Sequence, residues 1–260
     1  MSAAQIDPVA TAPGSDFVQQ RAALTHWCIH TISKALEGSS DLRIEFLTIA
    51  ALTVGVGFAG FAAKIVIDHN SNNEANGSFK FKNVPPPAKD DLGAKAKLTL
   101  VDGAMDSNGA DLSALTDGLL PTEEDQPSAN FFFGERTDGG RFRMDLGSAV
   151  ELSQINTYSW HPTTRGPQLY KLYASDGVDP KFNGEPKRGV DPVSCGWRFI
   201  ATVSSLPETG EGGGQYAASI TDPSGSLGKY RYLLFDCYAT ENSDDWGNTF
   251  YSEVDVLAKK

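Results

Sequence analysis

Short runs of alternating apolar and polar residues fill most of the chain after residue 63. A period of two is typical of half-buried β-strands, because successive side chains point to opposite faces of a sheet. Residues 141–146 show the pattern clearly, with Phe142, Met144 and Leu146 on one side. Eight runs predict strands: residues 97–101, 141–146, 154–160, 169–175, 198–203, 215–220, 230–236 and 250–256.

Turn-forming residues separate these runs, and no segment after residue 63 has a helical period of useful length. The chain contains 26 glycines and 14 prolines, which favour tight turns. Three consecutive prolines at residues 85–87 exclude a regular element there. Short strands with glycine-rich connections predict an all-β fold, a β-sandwich or jelly roll.

An uncharged run at residues 46–63 precedes the strand region. It suits a signal-peptide core, a membrane anchor of about 20 residues, or a buried helix. Small residues at Gly60 and Ala62 suit signal peptidase, and residues 63–67 alternate like a first strand. We therefore expect an N-terminal hydrophobic helix at residues 42–63, as signal peptide or membrane anchor, and one extracytoplasmic domain at residues 64–260.

Signal peptides do not normally begin so far inside a chain, and 41 residues precede Leu42. We interpret residues 1–41 as an uncertain extension whose start is mis-assigned, the true start lying near Leu42. A membrane anchor with a short inner segment is the rival interpretation. N-terminal sequencing of the native protein distinguishes the two.

The formal net charge of −11 argues against nucleic acid as a partner, because an acidic surface repels phosphates. The three cysteines, Cys28, Cys195 and Cys237, form no C-x-x-C pair and have no histidine at zinc-ligand spacing. Cys195 and Cys237 either pair outside the cytoplasm or remain free thiols. The sequence has no nucleophile elbow, phosphate loop or dinucleotide fingerprint, so we predict no enzyme activity.

An ordered set of motifs resembles one family. The set comprises GGRFRMDLG at 139–147, VELSQI at 150–155, YSWH at 158–161, RGPQLYKLYAS at 165–175, WRFIATV at 197–203, YRYLLF at 230–235 and FYSEVDV at 250–256. Their order is similar to that of the discoidin domain, also called the coagulation factor 5/8 type C domain. The resemblance covers about residues 115–256 and implies a galactose-binding-like jelly roll.

Members of this family bind ligands at loops on one end of the sandwich, and the resemblance implies the same here. Glycans are the typical ligands, and some members bind lipid headgroups or proteins. Sugar recognition needs an aromatic face and planar polar groups. Two segments supply them, and the candidate residues are Trp160, His161, Arg165, Trp246, Asn248 and Tyr251.

The resemblance also suggests a structural calcium ion. Thr116-Asp117-Gly118 followed by Thr122 resembles the calcium loop of galactose-binding-like modules, in which a glutamate near the last strand completes the site. That glutamate is Glu253 here. Calcium prefers six to eight oxygen ligands, including backbone carbonyls. We therefore predict side-chain ligands from Asp117, Thr122 and Glu253, with a carbonyl near Leu120.

These observations predict a secreted or membrane-tethered, non-catalytic carbohydrate-binding module, monomeric, with a glycan or glycoprotein ligand. A protein- or surface-adhesion domain of the same fold without a sugar site is the first alternative. A glycan-acting enzyme with paired carboxylates is the second. An exposed pocket of tryptophan, histidine and arginine side chains favours sugar binding, whereas an apolar loop tip or flat patch favours adhesion.

Overall fold

The computed structural model describes residues 63–210, 212–241 and 248–260. Eight β-strands and four short 3-10 helices make up this part of the chain. The strands are β1 (Lys64–Ser71), β2 (Lys97–Asp102), β3 (Gly139–His161), β4 (Leu169–Ser175), β5 (Arg198–Ser204), β6 (Gly214–Thr221), β7 (Gly228–Tyr238) and β8 (Tyr251–Ala258). The 3-10 helices span Gly93–Lys95, Leu112–Thr116, Pro127–Ala129 and Pro192–Cys195. The all-β sandwich predicted from the sequence is confirmed.

Strand β3 organises the sandwich because it takes part in both layers. Its first half pairs with β2 and β7, and its second half pairs with β6 and β8. We call the layer that contains β6, β8 and the second half of β3 the first layer, and β1 extends it beyond β6. The second layer contains β2, β7 and the first half of β3, and β4 and β5 extend it beyond β7. All of these pairs are antiparallel, so each layer can present one face to a shared core.

The two strands predicted at residues 141–146 and 154–160 are one strand of 23 residues. The sequence predicted a turn at Gly147, which does have a left-handed φ of 81°. Instead of reversing, the chain bends there, and its pairing with β7 shifts register between Asp145 and Val150. A glycine with positive φ serves a bulge as well as a turn, and a bulge re-aims a strand.

The core lies between the layers and collects the inward residues of the alternating strands. Phe142, predicted to face inward, stacks on Phe235 with ring centroids 4.7 Å apart. Burial of each such side chain stabilises the fold by about 1.5–3 kcal/mol. The largest fully buried side chains are Tyr158, Tyr170, Phe131, Phe132, Phe133, Phe142, Phe235, Phe250, Leu115, Met144, Leu152 and Ile155.

Long connections cover the outer faces of both layers. Over the first layer, residues 79–87 pack on Tyr158, whose hydroxyl donates to the carbonyl of Pro85 at 2.6 Å. Over the second layer, residues 177–196 place Phe182 against Trp197 and Tyr232. Side chains that alternation places on the outside of a strand are therefore often buried.

A buried arginine holds the 177–196 connection in place. Arg141 pairs with Asp236 at 3.0 Å and donates to the carbonyls of Pro186, Lys187 and Val190. Both charged side chains are almost fully buried. A buried charge is tolerated only when it is paired and hydrogen-bonded, so this cluster fixes the connection against the sheet.

Several predictions concern residues outside the described part of the chain. These are the extension at 1–41, the hydrophobic helix at 42–63 and Cys28. The described strands all fall within the predicted domain of residues 64–260. Cys195 and Cys237 are both free thiols. No described helix is long and apolar enough to span a bilayer.

Candidate functional site

Several strands meet at one end of the sandwich. Strand β3 finishes there at His161, β4 begins there at Leu169, and β7 finishes there at Tyr238. The connection after β3 contacts the connection after β7, because the hydroxyl of Thr240 donates to the carbonyl of Thr164 at 2.6 Å. The described residues of the two connections therefore lie side by side at this end of the sandwich.

Arg165 lies at the centre of this end. Its guanidinium stacks over the ring of Phe250, 4.6 Å from the centroid, and Nη2 lies 2.6 Å from Nε2 of His161. Its Nε lies 3.9 Å from a carboxylate oxygen of Glu241. The backbone carbonyl of Arg165 accepts from the amide of Phe250 at 3.0 Å. The guanidinium is thus fixed in direction while its side chain remains 14% exposed.

His161 is buried beneath Arg165 and contacts its guanidinium. Burial, and then the nearby Arg165 charge, lower the pKa of His161 to about 3. Its Nδ1 lies 3.0 Å from the hydroxyl of Thr163. The backbone amide of Thr163 also donates to Nδ1, at 3.1 Å, so a ring lone pair faces that amide. His161 is 2% exposed, so it acts as a positioning group and not as a surface contact.

An open pocket of about 280 Å³ lies beside Arg165. The hydroxyl of Thr164 donates to the carboxylate of Glu241 at 2.5 Å, which fixes one polar wall. The other wall is apolar, with Leu206 43% exposed. The residues that line the pocket are Thr164, Pro167, Leu206, Pro207, Gly210, Thr240 and Glu241. We refer to Thr164, Arg165, Thr240, Glu241 and this pocket as the loop-end site.

Two residues predicted to bind ligand are core residues instead. Trp160 is 4% exposed, because the connection that includes Phe79 and Phe81 covers the outer face of β3. Its Nε1 has no hydrogen-bond partner among the described residues and lines a cavity of about 20 Å³. Tyr251 is 2% exposed and packs edge-on against Tyr170. Neither ring presents a face for a sugar.

The other candidates divide between structural and unassigned roles. Asn248 is 3% exposed, and its amide donates to the carbonyls of Gly134 and Thr137, so it braces the preceding loop. Trp246 lies outside the described residues. Of the five predicted residues that the structure describes, Arg165 is the one that lies at the accessible end of the sandwich, with His161 beneath it.

Sequence reasoning did not select Thr164, Thr240 or Glu241. They follow strand ends at two separate places in the chain, and nothing in the sequence pairs them. The position of Thr164 directly before Arg165 was the one available signal. The structure brings them together through hydrogen bonds between the two connections.

The predicted calcium residues form a second region, on β8 and residues 117–122. Glu253 is fully buried, yet its carboxylate accepts only backbone amides, from Gly118 at 2.7 Å and Val254 at 3.2 Å. Burial raises the pKa of Glu253 to about 8, and the charges of Asp255 and Asp117 also raise it. No described cationic side chain pairs with this carboxylate, so a bound cation fits the chemistry of the position.

The remaining predicted ligands lie on the same segment. Asp117 accepts from the amide of Leu119 at 2.8 Å, and Leu120 is partly buried. The amide of Thr122 donates to Gln126 at 2.8 Å. Within the described ranges, no three His, Cys, Asp or Glu side chains converge on one point. A calcium ion here would therefore depend on backbone carbonyls in addition to Asp117 and Glu253.

Comparisons with known proteins identify no family. No family model matches the chain, and no curated protein matches it. The discoidin assignment therefore stays a prediction from the motifs.

Solved structures give distant likenesses. A chitosan-binding module from the chitosanase/glucanase of Paenibacillus sp. IK-5 has a TM-score of 0.39 and 16% identity, covering 64% of this chain and 98% of that one. A fucose-binding module of Streptococcus pneumoniae has a TM-score of 0.38 and 14% identity, covering 65% and 98%. SpGH29 has a TM-score of 0.39 and 12% identity, covering 66% of this chain but only 28% of its own.

Proposed function

We propose that the protein is a non-catalytic carbohydrate-binding module that holds a sugar at the loop-end site. The observation that carries the proposal is the open pocket of about 280 Å³ with one polar and one apolar wall. Small-molecule sites combine a mostly apolar lining with a few fixed polar groups. This pocket combines polar and apolar side chains, and its volume of about 280 Å³ suits a small ligand such as one sugar unit.

The polar wall matches the needs of sugar hydroxyls. The carboxylate of Glu241 supplies planar acceptors, and the hydroxyl of Thr240, whose proton is donated to Thr164, supplies another. Arg165, with Nε 3.9 Å from Glu241, supplies donors beside the pocket. Charge-assisted hydrogen bonds are roughly twice as strong as neutral ones. The pairing of Arg165 with His161 and Phe250 fixes the guanidinium before a ligand arrives, which reduces the entropy lost on binding.

The apolar wall supplies the surface on which the C–H face of a sugar ring packs. Pro167 and Pro207 are rigid, and Leu206 is 43% exposed beside them. Burial of apolar area is worth roughly 25 cal/mol per Å², so a single ring gains only a few kcal/mol here. We therefore expect weak binding of one sugar unit.

We also propose that the protein binds without turnover and works outside the cytoplasm. Glu241 is held by Thr164 and lies near Arg165, an arrangement that suits a hydrogen-bond acceptor better than a proton donor. The extracytoplasmic location rests on the apolar run at residues 46–63, which precedes the first strand.

A structural calcium ion is the third part of the proposal. Glu253 and Asp117 would hold it, with a carbonyl near Leu120 and the hydroxyl of Thr122. Its chemistry would be electrostatic, because it would compensate a fully buried carboxylate. In this position it would join the 117–122 segment to β8.

Adhesion to a protein surface is the second candidate. The 177–196 connection exposes Val178 at 78% and Val193 at 53%, and an open groove of about 530 Å³ lies between them. An apolar loop tip is the feature that favours such a role. This groove lies at the opposite end of β4 from the loop-end site, so the two functions can be separated by mutation.

A glycan array probed with the full chain, with calcium and with chelator, tests the proposal. We expect retention on a restricted set of glycans that is lost in Arg165→Met. The matched control is Arg231→Met, which removes the same charge from a guanidinium paired with Asp145 at 2.8 Å. Absence of retention on every glycan, or equal retention by both variants, would contradict the proposal.

A further inference from the structure

Strand β1 lies at the edge of its layer, and no described strand pairs with its outer side. It pairs with β6 along all eight residues without a register shift. No other described residue forms a backbone hydrogen bond with its residues 64–70. A strand edge of this kind presents unpaired amides and carbonyls that can pair with another chain.

The other three edge strands among the described residues are protected. The pairing of β5 shifts at Ala201 and leaves Ile200 unmatched. Strand β2 has a register shift, and its Val101 carbonyl accepts from Lys187 of the 177–196 connection. Bulges twist an edge away from a partner, and covering segments occupy its hydrogen bonds.

Strand β8 is protected in the same two ways. Its pairing with β3 shifts twice, and its Val256 carbonyl accepts from the amide of Leu92 at 3.0 Å. Strand β1 has no register shift, and its outward backbone groups at residues 64–70 bond to no described segment, although the side chain of Asp68 accepts from the amides of Asn83 and Val84. Natural sheets rarely leave a long regular edge open, so an occupant is expected.

The sequence of β1 is complementary to itself in an antiparallel register. Residues 64–68 read Lys-Ile-Val-Ile-Asp. When Val66 faces its own copy, Ile65 faces Ile67 and Lys64 faces Asp68 of the second chain. Aliphatic pairs and opposite charges are the favourable cross-strand pairs, whereas like charges directly opposite are destabilising. A two-fold axis through Val66 repeats each favourable pair twice.

Exposure agrees with this register on the face of Ile65 and Ile67, whereas Asp68 on the other face is 9% exposed and accepts from the amides of Asn83 and Val84. Ile67 is 38% exposed, which makes it one of the few large aliphatic residues of the strands that solvent reaches. Ile65 packs against the core of its own layer. In the two-fold arrangement each Ile67 is covered by Ile65 of the second chain, so the two cores become continuous.

We propose that β1 pairs with β1 of a second copy of this chain, antiparallel about a two-fold axis through Val66, to form a homodimer with one continuous sheet. Pairing with a foreign strand would require that strand to complement β1, but would not require β1 to complement itself. The mirrored order of residues 64–68 serves pairing between identical strands. The sequence analysis predicted a monomer instead, so the oligomeric state in solution distinguishes the two.

Sedimentation equilibrium of the full chain over a wide range of concentration tests the proposal. We expect a reversible dimer. Lys64→Glu places like charges opposite Asp68 at two sites and should raise the dissociation constant roughly tenfold or more. Ser71→Glu is the matched control, because Ser71 is exposed on the same strand outside the five paired positions. A monomer at every concentration, or equal effects of the two variants, overturns the proposal.

A cross-linking experiment checks the register independently. Directly opposed residues have Cβ atoms about 4.5–5.5 Å apart, which a disulfide can bridge with little adjustment. Val66→Cys should form a covalent dimer under mild oxidation, whereas Ser71→Cys and the unsubstituted chain should not. If the protein dimerises but Val66→Cys cross-links no faster than Ser71→Cys, another surface forms the dimer and the proposal is wrong. If monomers bind added β1 peptide without dimerising, the edge accepts a foreign strand and the proposal is likewise wrong.

Discussion

Nη2 of Arg165 lies 2.6 Å from Nε2 of His161, and the guanidinium stacks on Phe250 at the same time. A planar guanidinium held from below and from one face keeps its remaining donors in fixed directions. The loop-end site is therefore built on a strand terminus, although its polar groups lie on loops. Rigid support of this kind distinguishes a binding site from a surface cluster of polar residues.

Replacement of Arg165 by methionine should weaken glycan binding at least tenfold, because one charge-assisted contact and the fixed geometry of Glu241 are both lost. The measurement is the dissociation constant for the strongest ligand found on the array. Thr164→Val removes the hydroxyl that holds Glu241 and should reduce binding by a smaller factor. Undiminished affinity in both variants would place the sugar elsewhere.

Replacement of Trp160 by phenylalanine should leave glycan affinity unchanged, because Trp160 is 4% exposed and faces a cavity of only about 20 Å³. Its Nε1 has no described partner, so the variant loses no hydrogen bond among the described residues. The comparison is with Arg165→Met in the same assay. A loss of affinity in Trp160→Phe that matches Arg165→Met would restore tryptophan stacking as the mode of binding.

The pKa of His161, lowered by burial to about 3 from its ordinary value of 6.5, makes folding stability depend on acid. Between these two values the unfolded chain binds the proton and the folded chain does not, so stability falls as pH falls through that window. His161→Gln removes this contribution. Urea unfolding from pH 7 to pH 4 should therefore show a shallower loss of stability in the variant. Parallel pH profiles would show that His161 is protonated in the fold.

Glu253 should give folding stability a pH dependence opposite in sign to that of His161, and bound calcium should remove it. Because burial raises the pKa of Glu253 to about 8 from 4.5, the folded chain without a cation keeps a proton that the unfolded chain loses. Stability should therefore fall as pH rises through that interval. A bound cation holds the carboxylate ionised and removes the loss, so calcium should raise the melting temperature more at pH 8 than at pH 6.

Glu253→Gln is the matched control for this prediction. It should show neither the decline with pH nor the response to calcium, because the amide cannot ionise. Melting curves with calcium and with chelator provide the measurement. An unchanged melting temperature of the original chain in both conditions would count against a calcium ion at this position.

Replacement of Arg141 by methionine should destabilise the fold by roughly 3–5 kcal/mol, because Asp236 would remain buried without its partner. The 177–196 connection would also lose three carbonyl contacts. The measurement is the free energy of unfolding in urea, with Arg231→Met as a surface control. We expect a much smaller change in that control, and comparable losses would contradict a special role for the buried pair.

Alternation along the strands was sufficient to predict most of the sandwich, because one buried face is enough to impose a period of two. It identified Phe142 and Met144 as core residues, and both are fully buried. It could not show that the outer face is also covered. Trp160 and Tyr158 are buried by a connection remote in sequence, and no local pattern encodes that contact.

The loop-end site was predictable only in part. Arg165 follows a strand end and precedes a glycine and a proline, which marked it as a loop residue with a charged tip. Glu241 lies 76 residues later, and only the antiparallel course of β3, β4 and β7 brings it to Arg165. Long-range pairing of this kind depends on the order of strands in a sheet, which a single sequence does not specify.

Strand β3 contributes to both layers over its 23 residues, and this has a consequence for how the domain comes apart. Separation of either layer from the core would disrupt β3, which also belongs to the other layer. We therefore expect that neither layer unfolds alone. Unfolding should therefore occur in one step, with calorimetric and van't Hoff enthalpies that agree. Folding should be slow for a domain of this size, because β3 must find partners far along the chain on both sides.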